Sequence, residues 1–448
     1  MLTRRTLLRS SALAAVALPG LPACGNRAKG LSIVIVGGGA AGLYAARLLL
    51  DQAAEVVVLE ASARYGGRLL PLEGFADFPI ELGAEEVHGS NSTWHDQVVA
   101  AGATFVDAET TDYIRVGDEM LSDDDVFALS DFSDASDFYD AIDDYDGVEI
   151  SVEDRIEDEG LAARTVPLLE AWIGNEYGAS NADIGAVALA EGDNLWTAGN
   201  QNFDLKDTTL LACLEDAVGD ALDTVVLGAA VTRIDTSGSH VQIETADGTT
   251  YEADAVIVTV PLPVLRDGDI AFTPELPGDK LAAMQTIGMG AGMKIILQFT
   301  ERFWPDGTGS IYGGEHVPEF WATGYGRGED RYLTAFVMGE KAEYLSGLGD
   351  GAIEVILGDL DAMYGGSTAT DLYEDARIMD WYTELTIRGA YSYPSPDSTA
   401  ARAALAASVG DTLFFAGEAT HTEGHFATVH GAIETAERAV GELLDALG

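Results

Sequence analysis

The stretch LSIVIVGGGAAGLYAARLLL, residues 31–50, constrains the chain more than any other. Its first six residues, rich in β-branched types, read as a buried parallel strand, and Leu43 to Leu50 read as a helix. Between them Gly37, Gly39 and Gly42 stand in G-x-G-x-x-G spacing, with Ala41 inside the turn. The spacing suits a pyrophosphate: glycine at the tight bend, no side chain where the anion approaches the backbone, and close helix-to-strand contact after it. The helix N-terminus adds unpaired N–H groups aimed at the anion. EVVVLE follows as a second strand, and Glu60 stands 18 positions after Gly42, the distance at which an acid meets a ribose hydroxyl. In this order the elements predict an α/β fold with a dinucleotide site. The competing reading is a glycine-rich turn in an α/β domain that holds no nucleotide.

The chain has 448 residues, 47% of them hydrophobic, enough for two or three globular units. Its formal charge of −51, from 75 acids against 24 bases, excludes a nucleic-acid partner held through phosphates. Cys24 and Cys213 are the only cysteines, too few for a disulfide framework, an iron–sulfur cluster or a thiolate zinc site. Redox chemistry here needs a borrowed cofactor.

Residues 1–29 read as an export signal rather than fold. MLTRRTLLRS carries Arg4 and Arg5 ahead of a short apolar stretch, which resembles a twin-arginine signal, a route that carries folded proteins already holding a cofactor. LPAC resembles a bacterial lipoprotein box that would leave Cys24 acylated and the protein attached to a membrane; ordinary cleavage nearby is the alternative. The expected location is periplasmic or otherwise extracytoplasmic. No later segment reaches about 18 consecutive apolar residues, so none is expected to span a membrane.

Directly after Glu60 comes ASARYGGRL, and with it Arg64, Gly66, Gly67 and Arg68 form an E-x-x-x-R-x-G-G-R element. This resembles the flavin amine oxidase family, which includes monoamine oxidases, polyamine oxidases and lysine-specific histone demethylases. The likeness runs on in order through ELGAEEVHG, LGAAVTRI, ADAVIVTVPLPVL, MKIILQF, RGAYSYP, LFFAGEAT and HFATVHGAIETAERAV. It implies a Rossmann-like FAD-binding domain with a parallel sheet, assembled from residues 30–95, 205–270 and 405–448. The remaining stretches, 96–204 and 271–404, would form an α+β substrate-binding domain with a mixed sheet and helices.

The resemblance also assigns roles. Arg64, Gly67 and Arg68 would lie along the FAD, Val231 would hold the adenine, Glu418 would stand beside the ribityl chain and pyrophosphate, and Val429 would offer a backbone N–H to the flavin ring. Ala390 occupies the position of the cysteine that binds flavin covalently in monoamine oxidases, so FAD is expected to be non-covalent. By its setting alone, Lys294 in M-K-I-I-L must be desolvated, paired or on an edge strand. The resemblance makes it the lysine that meets flavin N5 through a water and assists reoxidation by oxygen. Tyr391 would form one wall of an aromatic cage that orients the amine, with Tyr393 a weaker candidate suited to core packing. The other wall falls on Thr428, where monoamine oxidases carry tyrosine. His88 would orient the substrate amine, or be a satisfied histidine of the core or surface.

The implied reaction passes hydride from the α-carbon of a neutral amine to flavin N5, giving an imine, with oxygen reduced to hydrogen peroxide. Its rate is expected to rise with pH as the amine loses its proton. An L-amino-acid oxidase, an amine dehydrogenase, an enzyme of apolar substrates and a non-catalytic flavin-binding exported protein are the alternatives. His421, His425 and His430 lack the companion ligands of a metal site, so no metal is expected. Residues 121–160 hold 16 acids and one base in 40 residues, against 75 acids in 448 overall. Interleaved Phe132, Phe138, Tyr139 and Tyr145 suit amphipathic helices with solvated faces. The sharper expectation is an acidic funnel that concentrates a polyamine, while the acidity of the whole chain suits a salt-adapted surface.

Overall fold

The computed structural model describes residues 26–448. The expected export signal and Cys24 lie outside the described residues, apart from the last four positions of the signal.

Ser32–Val36 is the middle strand of a five-stranded sheet whose order is Leu413–Phe415, Ala255–Val258, Ser32–Val36, Glu55–Leu59 and Val225–Val226, every pair parallel. Both faces are covered, which explains the unbroken apolar run of the central strand. Ile33 and Ile35 pack on one side against Leu43, Leu49, Ile433 and Val440. Val34 and Val36 pack on the other against Ile234, Val256 and Val258, the alternation that a strand's two-residue period requires. The helix after the glycine turn runs Ala40–Asp51, starting earlier than the apolar pattern suggested because Gly39 already serves as its N-cap. The C-terminal helix Val429–Leu447 lies along it and buries Ile433, Ala436, Val440, Leu443 and Leu444 on one stripe.

A four-stranded sheet, ordered Thr250–Ala253, Val241–Thr245, Val231–Asp235 and Ala271–Thr273, packs on the far face. The helix Gly278–Thr286 buries Ala283 and Met284 in the same core, and Ile287 follows them. This core continues past residue 270 to Ile287, because this helix finds its apolar partners there.

The second body is built on a seven-stranded mixed sheet, ordered Tyr373–Asp380, Gly292–Phe299, Tyr332–Met338, Glu319–Ala322, Thr308–Tyr312, Thr111–Val116 and Glu119–Ser122. Gly292–Phe299 is an interior strand, antiparallel to both neighbours, so Lys294 is not an edge-strand lysine. Met293, Ile295, Leu297 and Phe299 enter one core. On the opposite face Ile296 joins Phe78 and Ile80, and Lys294 shares that parity, which turns it towards the segment around residues 80–88.

In the acid-rich stretch the helix Ser130–Asp140 buries Phe132, Ala135 and Phe138, and Val152–Asp158 buries Val152, Arg155 and Ile156. Thirteen of its sixteen acids are exposed and none is buried. Its one base, Arg155, stacks 4.5 Å from the ring centroids of Phe138 and Tyr145. Among the described residues no helix is long and apolar enough to cross a membrane.

Candidate active site

A cavity of about 710 Å³ lies between the two bodies, walled by the glycine turn at one end and by the Lys294 face of the mixed sheet at the other. At the turn the backbone sets the geometry. Gly37 has φ +112°, and a Cβ on Gly42 would lie 1.9 Å from the carbonyl oxygen of Gly37, so neither position admits a side chain. A Cβ on Gly39 would meet nothing within 4 Å. Gly39, Ala40 and Ala41 line the cavity, and the helix they open has no side-chain cap and no acid in its first turn. Open space at the glycine together with unclaimed helix N–H groups fits the pyrophosphate of a dinucleotide. Glu60 borders the same space; Gly38 N–H donates to its Oε2 (2.7 Å) and Ser62 N–H to its Oε1 (2.8 Å), which fixes the carboxylate beside the turn.

Arg64, Gly67, Arg68, Glu418 and Val429 also line the cavity. The Arg68 guanidinium donates to Glu418 Oε1 (2.9 Å) and to the carbonyl of Ala390 (2.8 Å). Glu418 further accepts from Ser392 Oγ (2.6 Å) and from Ala427 N–H (2.9 Å). Burial pushes its pKa up, but Arg68, Ser392 and Arg402 outweigh burial and leave it below the usual carboxylate value. Val231 is not in the cavity wall; it packs among Leu59, Ala229 and Ile234 in the core beneath.

At the other end Lys294 is 3% exposed. Its Nζ lies 2.5 Å from Glu85 Oε2 and 3.1 Å from the carbonyl of Gly83. Of the three options open to an apolar-run lysine, the structure shows pairing. Tyr391 faces the cavity, its hydroxyl donating to the carbonyl of Glu176 (2.8 Å). Burial, followed by nearby Glu176, Glu319 and Glu86, raises its pKa well above the ordinary phenol. Tyr393 is absent from the cavity wall; its ring lies against Gly288. Thr428 lines the cavity, but its hydroxyl caps the C-terminal helix, donating to the carbonyl of His425 (2.7 Å) and accepting from Gly431 N–H (3.0 Å). His88 lines the cavity with Nδ1 3.0 Å from Asn202 Oδ1 and its ring edge-on to Trp196.

The residues that sequence reasoning missed are acids and aromatics that converge on the cavity from distant segments: Glu85, Glu86, Glu176, Asp204, Glu319, Trp196 and Trp321. Burial, then Asp204, Glu176 and other acids, pushes the Glu86 carboxyl well above its usual pKa. Burial and then Glu176 push Glu319 up to about 8, and burial pushes Asp204 up to about 6. Of the acids in 121–160, Asp140 alone lines the cavity. A visible sign of the others was the double glutamate of ELGAEEVHG, a segment that carries three acids in nine residues. Glu319 in E-F-W-A likewise opens an otherwise apolar strand. Arg327, in the loop GYGRGED, carried no such sign.

Among the described residues one cluster, His421, His425 and Glu434, has the proximity of a metal site. Its hydrogen bonds oppose one. Nδ1 of His421 accepts from the N–H groups of Glu423 and His425, which leaves its proton on Nε2, donated to Glu434 (2.8 Å). Nε2 of His425 accepts from Thr197 N–H, which leaves its proton on Nδ1, again donated to Glu434 (2.7 Å). A cation would need lone pairs on the two nitrogens that carry protons.

The profile of flavin containing amine oxidoreductases matches residues 111–444, and that of an NAD(P)-binding Rossmann-like domain matches residues 35–101. Polyamine oxidase 4 of Oryza sativa subsp. japonica is 28% identical over 92% of this chain and 88% of its own length. Lysine-specific histone demethylase 2 of Homo sapiens is 29% identical over 90% of this chain and 52% of its own. In fold the chain is similar to cyclohexylamine oxidase from Brevibacterium oxydans IH-35A, with a TM-score of 0.78, 20% identity, and coverage of 93% of this chain and 99% of that one. A redesigned putrescine oxidase gives a TM-score of 0.75 at 20% identity with the same coverage.

Proposed function

This chain belongs to the family of flavin containing amine oxidoreductases, and from that premise we propose that its substrate is a polyamine-like polycation oxidised to an imine, with oxygen as the final acceptor. FAD held in this cavity would supply two-electron redox chemistry, with hydrogen peroxide as the product where oxygen is the acceptor. The glycine turn, Glu60, Arg68 and Glu418 would hold the FAD, without a covalent bond because Ala390 offers only a methyl group.

The observation that carries the polycation reading is the convergence of Glu86, Glu176 and Glu319 with Tyr391 and Trp321 in the cavity that also holds Lys294 and the Gly39 cradle. Carboxylates crowded by burial and by one another are relieved by an ammonium group, and aromatic faces orient it. The reacting nitrogen must be neutral to assist C–H cleavage, so the acids would serve the ammonium groups that do not react. Tyr391 would form one wall beside the reacting carbon, His88 would orient the amine from the opposite approach, and Lys294 would hold a water and assist reoxidation. An amino-acid substrate needs a cation for its carboxylate. The cavity arginines are engaged elsewhere: Arg68 on Glu418, Arg327 on Glu85, and Arg64 on the carbonyls of Tyr65 and Leu69.

The test is anaerobic bleaching of the flavin absorbance by spermidine, spermine, N-acetylated polyamines, benzylamine and L-amino acids. Bleaching by polyamines, with peroxide formed when air returns, is the expected result; bleaching by amino acids alone would refute the reading. Export through the Arg4–Arg5 signal, with a lipid on Cys24, is proposed alongside and is tested by the mass of the mature N-terminal peptide.

A further inference from the structure

Lys294 ends a chain of charged side chains drawn from four separate segments, Lys294, Glu85, Arg327 and Asp204. Glu85 Oε2 lies 2.5 Å from its Nζ, and Glu85 Oε1 lies 3.2 Å from Nη1 of Arg327, whose Nη2 is 3.4 Å from Asp204 Oδ1. The side chains of Lys294, Glu85 and Arg327 are 4%, 8% and 5% exposed, so little water competes for these contacts. An ammonium has three N–H bonds. The carbonyl of Gly83 and the carboxylate of Glu85 take two, which leaves one, and the Nζ lies 5.1 Å from the ring centroid of Trp321, another cavity residue.

We propose that Glu85 is a positioning residue that holds Lys294 charged and aimed, so that the lysine offers one N–H to the cavity and accepts no proton from it. Arg327 performs the matching task for Glu85, keeping the carboxylate ionised from its far side. Burial raises the Glu85 pKa, but Lys294 and Arg327 outweigh burial and bring it below the usual value. The other titratable groups facing Glu85 are Glu81, Glu86 and Asp204, all pushed up by burial. Glu85 is thus the acid of this wall whose pKa is lowered, and it is the one in contact with both cations. The inference rests on Lys294 standing beside the flavin, as proposed above, and adds what fixes its charge and direction.

The test uses the flavin-loaded enzyme and Glu85→Gln, which keeps the shape and an acceptor but removes the charge. A buried ammonium without its counter-ion loses its proton more readily. The visible band of oxidised flavin in E85Q is therefore expected to titrate between roughly pH 7 and 10, where that of the unmodified enzyme does not. Reoxidation by air should slow on the order of tenfold across that window. In E85Q/K294M the band should no longer titrate and the reoxidation rate, slow throughout, should no longer change across that window. An E85Q band that follows the unmodified enzyme, or one that still titrates in the double variant, would overturn the proposal. If E85Q alone fails to fold, E85Q/K294M should fold, since it removes both members of the pair; a double variant that also fails to fold would count against it. A Lys294→Met enzyme whose flavin behaves normally would refute the placement of Lys294 beside the flavin. A disturbed K294M with a silent E85Q would refute the role of Glu85 alone.

Discussion

Around Gly37–Gly42 the site is made of backbone: positive φ, a carbonyl with no room above it, N–H groups at a helix start, and one acid fixed by two amide protons. Around Lys294 it is made of charge-bearing side chains, Lys294, Glu85, Arg327 and Asp204, contributed by four stretches of chain and paired in sequence with one another. The first kind of site is local and tolerates almost no change of shape. The second is assembled at long range and depends on charge balance, since breaking one member of a buried pair leaves its partner uncompensated, at a cost of about 3–5 kcal/mol. A dinucleotide is held by geometry that never changes, whereas an amine substrate and its proton need groups whose charge matters.

The largest expected effect separates two neighbouring glycines. Gly42→Ala puts a Cβ 1.9 Å from a backbone oxygen, and should cost on the order of 3 kcal/mol or more, seen as a lowered melting temperature. Gly39→Ala meets open space, so the melting temperature of the flavin-free protein should hold while the ratio of bound flavin to protein falls. Equal behaviour of the two would break the distinction between shape and cradle. Lys294→Met should next slow reoxidation on the order of a hundredfold while leaving flavin content unchanged, measured by stopped-flow absorbance on readmitting oxygen.

A smaller effect concerns pH. Glu81, whose Oε1 accepts from Leu210 N–H (2.7 Å), has its pKa raised by burial to about 7. A raised carboxyl binds a proton in the folded state that the unfolded chain has already released. Its contribution is therefore fully present below the ordinary carboxyl range and is lost as pH rises towards about 7, with a slope of up to about 1.4 kcal/mol per pH unit. Glu81→Gln should flatten this part of the stability curve, as read by denaturant midpoints. The smallest effect belongs to the outer acids: Asp124→Asn and Asp125→Asn, both exposed, should change the KM for spermidine by less than about twofold. A larger change would restore the acid-rich stretch as a funnel.

What was legible in the sequence follows the same division. The glycine spacing, Glu60 and the E-x-x-x-R-x-G-G-R element lie within a few dozen residues, so local pattern reported them, and a central strand as apolar as Ser32–Val36 could only be buried on both faces. Lys294 was legible as a lysine needing a partner, yet nothing near it named Glu85, which is brought to it only when the mixed sheet packs against residues 80–88. Where the side chains of Val231 and Thr428 point was not legible either: Val231 packs in the core, and the Thr428 hydroxyl caps a helix at the cavity wall. The acidic run of 121–160 was conspicuous because it is contiguous, while Glu86, Glu176 and Glu319 are spread over more than two hundred positions and meet only in the fold.

The central claim is that the cavity acids, and not the outer ones, recognise the charge of the substrate. It is tested most directly by anaerobic flavin reduction in Glu86→Gln and Glu319→Gln, with spermidine and benzylamine compared in each. The account predicts that the concentration of spermidine giving half-maximal reduction rate rises about tenfold or more, while that of benzylamine hardly moves. Equal shifts for both amines, or none for either, would contradict it.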